Sequence, residues 1–466
     1  MDKEFFKKIV HIFLDNYYLY VKIKRKMQGK IKHEAQLDLF KPLLINIISP
    51  KRPLVSLTKM VEWEIIEKEF GRYYSTNGRP SVPTRTMVGL LLLKSMFSVS
   101  DEDLIPAWIE NPYWQYFCGE QYFTDVAPCD PSDLVHFRKR IDKEGMEFIL
   151  KQSIKIHGSA ALEESVVIDT TVQEKDTTYP VDVKLYHTII KNCWSIGADN
   201  GIKFHQSFRF LLKQARKITR FVNQPKNRKS AYQAIRKIKG YAGKLLRELE
   251  RKLSADVLSA MEERFSLYHR VLKQKRTDKD KIYSLHEPHI YCMAKGKEHK
   301  KYEFGVKASI AVTKDSGIIV GSVTFEKNIY DAHTLEATLQ QVKRNTNQSP
   351  KEAICDRGYK GVSELEGTKI LIPKPLPSNA KKKEIEETKK KFRRRSAIEP
   401  IISHLKYDHR MIRNHLKGIQ GDFINCVLAS AGFNFMKMLR KIASSLALWL
   451  DLSVRFFLGS PRKLAF

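Results

Sequence analysis

The chain has 466 residues, 42% of them apolar and 29% charged, enough for more than one folded unit and too apolar for disorder throughout. It carries 83 Lys and Arg against 52 Asp and Glu, a formal charge of +31 that points to a polyanion, nucleic acid first, and is silent about chemistry. Six cysteines with no Cys-x-x-Cys pair exclude a disulfide-stapled secreted scaffold and fit a reducing cytoplasm.

The first 26 residues scatter acidic groups among apolar ones and lack the apolar core of an export signal. Residues 1–45 read as a helical extension and 46–160 as a helical domain. In that domain GRPSVPTRT supplies turn residues ahead of an apolar run containing Leu90, Leu91, Leu92 and Leu93. Ser100 caps SDEDLIPAWI and Ser132 opens SDLVHFRKRI. Such a module fits a helix-turn-helix reader of DNA ends and a dimerisation platform equally well.

The character changes at SVVIDTT, where Val166, Val167 and Ile168 predict a buried strand whose last residue, Asp169, emerges. Asp176 and Asp182 flank turn-like residues and read as structural or DNA-facing. From about 200 to 280 the chain is helical and basic, with 20 Lys or Arg against 7 Asp or Glu over residues 211–280. This reads as an insertion. Leu211, Leu212, Ala215 and Ile218 give it an apolar face, and its charge favours DNA contact over mere solvation. His286, His289 and Cys292 are zinc-ligand types, but Pro288 breaks the helix that would align them and no complementary cluster accompanies them.

Strands resume at YEFGVKASIAVT, where Phe304, Val306, Ala308, Ile310 and Val312 alternate with polar or small residues. KDSG turns the chain into IIVGSVTFE, completing a hairpin; DAHTLEATLQQVKRN reads as helix and EAICDRGY as a short strand ending in a carboxylate. Residues 381–417 hold 13 basic and 5 acidic residues and read mainly as helix. The apolar stretch IASSLALWLDLSVRFFLG is interrupted by Asp451 and Arg455 and reads as a buried terminal helix within a tail of 441–466, not a membrane span.

Phosphodiester cleavage by two metal ions needs carboxylates that hold the ions roughly 4 Å apart, one ion activating the nucleophile and the other steadying the leaving oxygen. Asp169 and Asp356, each after an apolar strand, would stand side by side if those strands pair. On one helix, Phe392, Arg395, Glu399 and Lys406 would share a face, an acid between two bases able to hold flanking phosphates. The bland reading is an Arg395–Glu399 salt bridge. Pro400 also disfavours helical geometry at Glu399 and weakens the shared face for Lys406. Asp331, close to His333 in NIYDAH, rivals Asp356 for the second carboxylate.

The segment from Phe392 to Lys406 resembles the Tyr-x2-Arg-x3-Glu-x6-Lys signature of insertion-sequence DDE transposases, with Phe392 in the tyrosine's place. GRPSVPTRTMVGLLLLK, NPYWQYFCG, KIYSLHEPHIYCMAKGK, YEFGVKASIAVT, ICDRGYKG, RRRSAIEPIISHLKYDHRM and GDFINCVLASAGFNFMKMLR are similar to further blocks of such enzymes, together spanning residues 70–440. The resemblance implies an α/β fold with a ribonuclease-H-like core over 161–440, interrupted by the basic helical insertion and preceded by an all-helical N-terminal domain. It implies Asp169, Asp356 and Glu399 as catalytic ligands of Mg2+ or Mn2+, with Arg394, Arg395, Lys406 and Arg410 on DNA and Asp331, His333 and Phe392 as accessory residues. The implied reaction is hydrolysis at transposon ends, then attack of the freed 3′-hydroxyl on target DNA, by a homodimer or larger assembly on paired inverted repeats. Two alternatives remain: a non-catalytic DNA-binding remnant, and a stand-alone nuclease of the same fold.

Overall fold

The computed structural model describes residues 28–29, 41–75, 81–177, 182–275, 277–294, 302–373, 386 and 392–458, with side chains described as far as 445. Among them, seven strands form one mixed sheet around β1 (Ser165–Glu174). β3 (Tyr302–Thr313) runs antiparallel along one edge of β1, from Val166 opposite Thr313 to Glu174 opposite Gly305. β5 (Glu352–Ile354) lies parallel along the other edge, with Val167 opposite Ile354. Outside β3 sit β2 (Tyr291–Ala294) and β4 (Ile319–Phe325), both antiparallel to it. Beyond β5 come β7 (Thr368–Leu371), parallel, and then β6 (Glu364–Leu365), antiparallel. The expected hairpin is the β3–β4 pair. β1 departs from expectation by not ending at Asp169: β3 supplies ladder partners as far as Glu174, so the strand continues through Thr170 and Thr171.

The extension expected over residues 1–45 lies largely outside the described residues, and from residue 44 to 155 the chain is mainly helical, as expected: α1 (Leu44–Ile47), α2 (Pro53–Met60), α3 (Trp63–Phe70), α4 (Thr84–Phe97), α5 (Asp101–Glu110), α6 (Pro112–Cys118) and α7 (Pro131–Lys155). Leu90, Leu91, Leu92 and Leu93 are all buried, because α4 is surrounded by its neighbours rather than half exposed. Ser100 caps α5, its hydroxyl accepting from the Asp103 amide. Ser132 does not cap α7. Asp130 takes that place in a capping box with Asp133, because Pro131 suits the first helical position, where no N–H is needed.

The two sheet faces are covered differently. Val166, Ile168, Ala311, Val320, Ala353 and Cys355 join a core with α4, α7 and α13 (Leu335–Thr346). Val167, Ile310, Val312, Ile354 and Leu371 pack instead on Ile398, Ile401 and Leu405 of α14 (Ile398–Tyr407) and on Cys426, Ala429 and Phe433 of α15 (Gly418–Leu458). α15 is continuous across residue 441, and the side chains of the apolar stretch expected to be buried lie largely outside the described residues. Among the described residues, no helix is long and apolar enough to cross a membrane.

Between β1 and β2 the chain is helical from Asp182, ahead of the expected start near 200: α8 (Asp182–Asp199), α9 (Arg209–Thr219), α10 (Arg228–Lys252), α11 (Ala255–Ala260) and α12 (Glu262–Lys273). These helices share a core of their own, with Ile189, Ile190 and Cys193 of α8 against Ile238, Leu245 and Leu246 of α10. α8 is needed to bury the apolar face of α10, so it belongs with the helices that follow.

Two buried ion clusters brace this arrangement. Lys175, just after β1, places its ammonium 2.7 Å from Asp422 of α15 and 3.4 Å from Glu287, and His289 lies 2.8 Å from Asp422. His289 is therefore committed to this cluster, while His286 meets Ser284. In the helical part, Arg138 grips Asp101 with two hydrogen bonds of 3.0 and 2.7 Å, and Lys94 reaches the same carboxylate at 2.7 Å. Burial, only partly offset by Asp101, lowers the Lys94 pKa to about 8. Removing Asp101 strands both cations, and Arg138, unlike Lys94, cannot shed its proton. Asp101→Ala is expected to cost about 3–5 kcal/mol, as for other broken buried pairs. Urea denaturation measures this, and a loss under 1 kcal/mol, by the same comparison with exposed pairs, would show that the cluster carries little stability.

Candidate active site

Pleating sends alternate residues of a strand to opposite faces. Val167 and Ile354 both pack on the α14 and α15 face, so Asp169 and Asp356, each two residues further on, project from that same face. Because β1 and β5 are parallel and Val167 pairs with Ile354, each carboxylate follows that last register pair by two residues, Asp169 within β1 and Asp356 just past the end of β5. Asp356 retains extended backbone at φ −82°, ψ −177°, and caps the turn Arg357–Tyr359, its Oδ1 accepting from the Gly358 amide at 2.7 Å. Sequence reasoning anticipated this pairing.

Asp331, in the turn after β4, comes close to Asp356. Its Oδ1 accepts from Thr170 Oγ1 at 2.9 Å and from Lys307 Nζ at 2.8 Å, and the Lys307 ammonium also donates to the Ile329 carbonyl. Gly358 lies between the two acids: a Cβ there would sit 2.9 Å from Asp356 Oδ1 and 3.2 Å from Asp331 Oδ2. Asp331 thus neighbours Asp356. His333 is exposed, its ring edge-on to Tyr330.

Negative charge accumulates here. Burial, then the charges of Asp169 and of neighbours including Asp331, push the Tyr359 hydroxyl far above its ordinary pKa. Burial, then Asp356 and Asp169, do the same to the Cys355 thiol. Hard carboxylate oxygens in a negative field fit Mg2+ or Mn2+ better than a thiophilic metal.

Glu399 arrives on α14, the helix that covers this face, but its side chain is 64% exposed and lies 3.9 Å from Arg395. Among the described residues, no three His, Cys, Asp or Glu side chains are grouped closely enough to hold a metal ion. The continuous helix expected from Phe392 to Lys406 is not formed. Residues 393–394 form a turn, Arg395–Ala397 a 3-10 turn, and α14 starts at Ile398. Pro400 explains the restart, since its missing N–H costs nothing in a first helical turn. Phe392 packs, half-buried, against the core under α14. Of the cations expected on DNA, Arg394 is exposed near Asp315 and Arg395 is half-buried. Lys406 lies 3.7 Å from the buried Glu303, and Arg410 donates to the Ser98 carbonyl, so both are engaged within the protein. Asp176 meets His415 and Arg413, and Asp182 meets Lys281. Lys307 and Thr170 escaped sequence reasoning because each gains its role only through a contact with Asp331, which is remote in the chain.

The family described as Transposase DDE domain matches residues 271–434, and the one described as Transposase domain (DUF772) matches residues 43–140. The chain belongs to the DDE transposase family. A relative from Rhizobium meliloti, described as uncharacterized protein ORF8 in the nfe locus, is 40% identical over 183 residues, covering 38% of this transposase and 88% of the relative. No solved structure matches the transposase. The DDE match includes Asp356 and Glu399 and begins after Asp169, which strand pairing brings alongside the Asp356 segment.

Gly358→Ala tests how tightly the acids are packed. The added methyl overlaps Asp356 Oδ1, and overpacking of this kind costs about 1–3 kcal/mol. A lowered urea midpoint is expected, together with slower metal-dependent DNA cleavage; wild-type values of both would mean the acids move apart freely.

Proposed function

We propose that this transposase cleaves DNA at the ends of an insertion sequence and transfers the freed strands into target DNA, using Asp169, Asp356 and Glu399. The observation that carries the proposal is the pairing of Val167 with Ile354, which aligns Asp169 and Asp356 on the sheet face covered by the helix bearing Glu399. In this reading the core is ribonuclease-H-like, residues 161–440 are the catalytic unit with its helical insertion, and residues 46–160 serve DNA-end recognition or subunit pairing.

Asp169 and Asp356 would hold Mg2+ or Mn2+, with Glu399 completing the set when α14 and DNA come together. When bound, such ions supply Lewis-acid stabilisation of charge on the phosphate oxygens. The protein's own part is positioning. Asp356 is fixed by the Gly358 amide, and Asp331 is fixed by Thr170 and Lys307 with its second oxygen beside Gly358. Arg394 and Arg395, next to Glu399, are disposed to hold phosphates flanking the cut. We further propose that the enzyme works in the cytoplasm as an assembly of at least two subunits on paired inverted repeats.

The test is cleavage and joining of a labelled duplex carrying the element's own ends, with Mg2+ or Mn2+. Wild type is expected to cut and join. Asp169→Asn, Asp356→Asn and Glu399→Gln are each expected to bind the duplex yet lose activity by more than the ~10–100-fold typical of losing an outer-shell partner. Full activity in one variant would remove that residue from the set. Wild type that binds and never cuts would favour a DNA-binding remnant, and cutting of branched DNA without joining would favour a nuclease.

A further inference from the structure

From Asn200 to Arg247 the chain contains no Asp or Glu and fourteen Lys or Arg. Thirteen of those cations are exposed and Lys239 is half-buried. On α9, Arg209, Lys213, Arg216 and Lys217, continued by Arg220 at its end, recur at helical spacing and form one stripe, while Leu212 and Ala215 turn inward to the insertion's core. Like charges three and four residues apart destabilise a helix, so the stripe works against the fold that displays it.

An ordinary solvated surface relieves such strain with interspersed acids, and this one does not: among the described residues, none of the fourteen cations forms an ion pair. Several lie over aromatic rings instead. Arg209 sits 5.3 Å from the Trp194 ring, Lys244 5.9 Å from Phe208 and Arg228 5.9 Å from Tyr232. Phe210, Phe221 and Tyr232 are themselves exposed, Phe210 by 70%. Cations without carboxylate partners, mixed with exposed rings, are the surface chemistry of nucleic-acid binding.

We propose that the α9–α10 face of the insertion is a second DNA-binding surface, separate from the carboxylate site, which holds duplex DNA through its phosphates. The choice of DNA as the polyanion rests on the transposase reading; the cationic face does not. Contacts to phosphates carry no sequence information, so binding is expected to be insensitive to base sequence.

The experiment measures binding of the full chain to a random-sequence duplex at several salt concentrations, for wild type and for Arg216→Gln, Lys217→Gln and Arg220→Gln combined. Each lost phosphate contact lowers the salt slope by about 0.9, so a fall of about 2–3 is expected, with affinity down at least tenfold. A charge-retaining set, Arg216→Lys, Lys217→Arg and Arg220→Lys, is expected to keep the wild-type slope. The substituted residues are exposed, and circular dichroism confirms that each variant is folded. An unchanged slope in the Gln variant overturns the proposal. So does loss of binding only to phosphatidylglycerol vesicles, which would make the face a membrane surface. The two readings fail separately: a wild type that never cleaves but shows the slope change loses the enzymatic reading alone, whereas one that cleaves with no slope change loses this proposal alone.

Discussion

The alignment of β1 between β3 and β5 is the constraint on which the rest depends. Its antiparallel edge is held by nine register pairs with β3, and its parallel edge is set by Val167 opposite Ile354. A slip of one residue would turn every side chain of the strand to the other face, putting Asp169 under the N-terminal helices and Val167 in the site. Burial on both faces prevents this. Val166 and Ile168 are locked into one core and Val167 into another, so Asp169 has only one face to occupy. Gly305 adds a local restraint, since a Cβ there would lie 1.9 Å from the Gln173 carbonyl oxygen of β1. The C-terminal end of the same strand is tied to distant chain by Lys175, which reaches Asp422 at the start of α15 and Glu287 before β2.

Much of this was legible in the sequence. Period-two alternation in Phe304–Val312 marked β3, KDSG marked its turn, and the apolar runs before Asp169 and Asp356 marked two strands that do pair. What escaped has specific causes. β1 outruns Asp169 because ladder partners on β3, not its own composition, carry it to Glu174. The shared helix from Phe392 to Lys406 fails because Pro400 is compatible with the first turn of a helix and not with its middle. Ser132 loses the cap of α7 to Asp130 because Pro131 competes for the position between them. The insertion starts early because α8 buries against α10, a partner about forty residues away that no local window reveals. Lys307 and Asp422 illustrate the general limit: a charged residue's role set by a remote partner leaves no local pattern.

The site and the insertion divide two physical tasks. At the strand ends acids are crowded together and fixed by Thr170, Lys307 and the Gly358 amide, a negative field suited to cations. From Asn200 to Arg247, across α9 and most of α10, cations are crowded together with no Asp or Glu among them, a positive field suited to phosphates. Both concentrations of like charge oppose folding. In the proposed reaction metal ions and DNA meet, and keeping the two fields apart prevents each from quenching the other.

Iron-directed backbone cleavage tests the central claim most directly. With Fe2+ replacing Mg2+ and peroxide with ascorbate added, hydroxyl radicals cut the chain beside a bound ion. Cuts are expected next to Asp169, next to Asp356 and at the start of α14, suppressed by excess Mg2+ and by Asp169→Asn. Cuts elsewhere, or cuts at these positions that persist in Asp169→Asn, would contradict the assignment of the paired strand ends as the metal site.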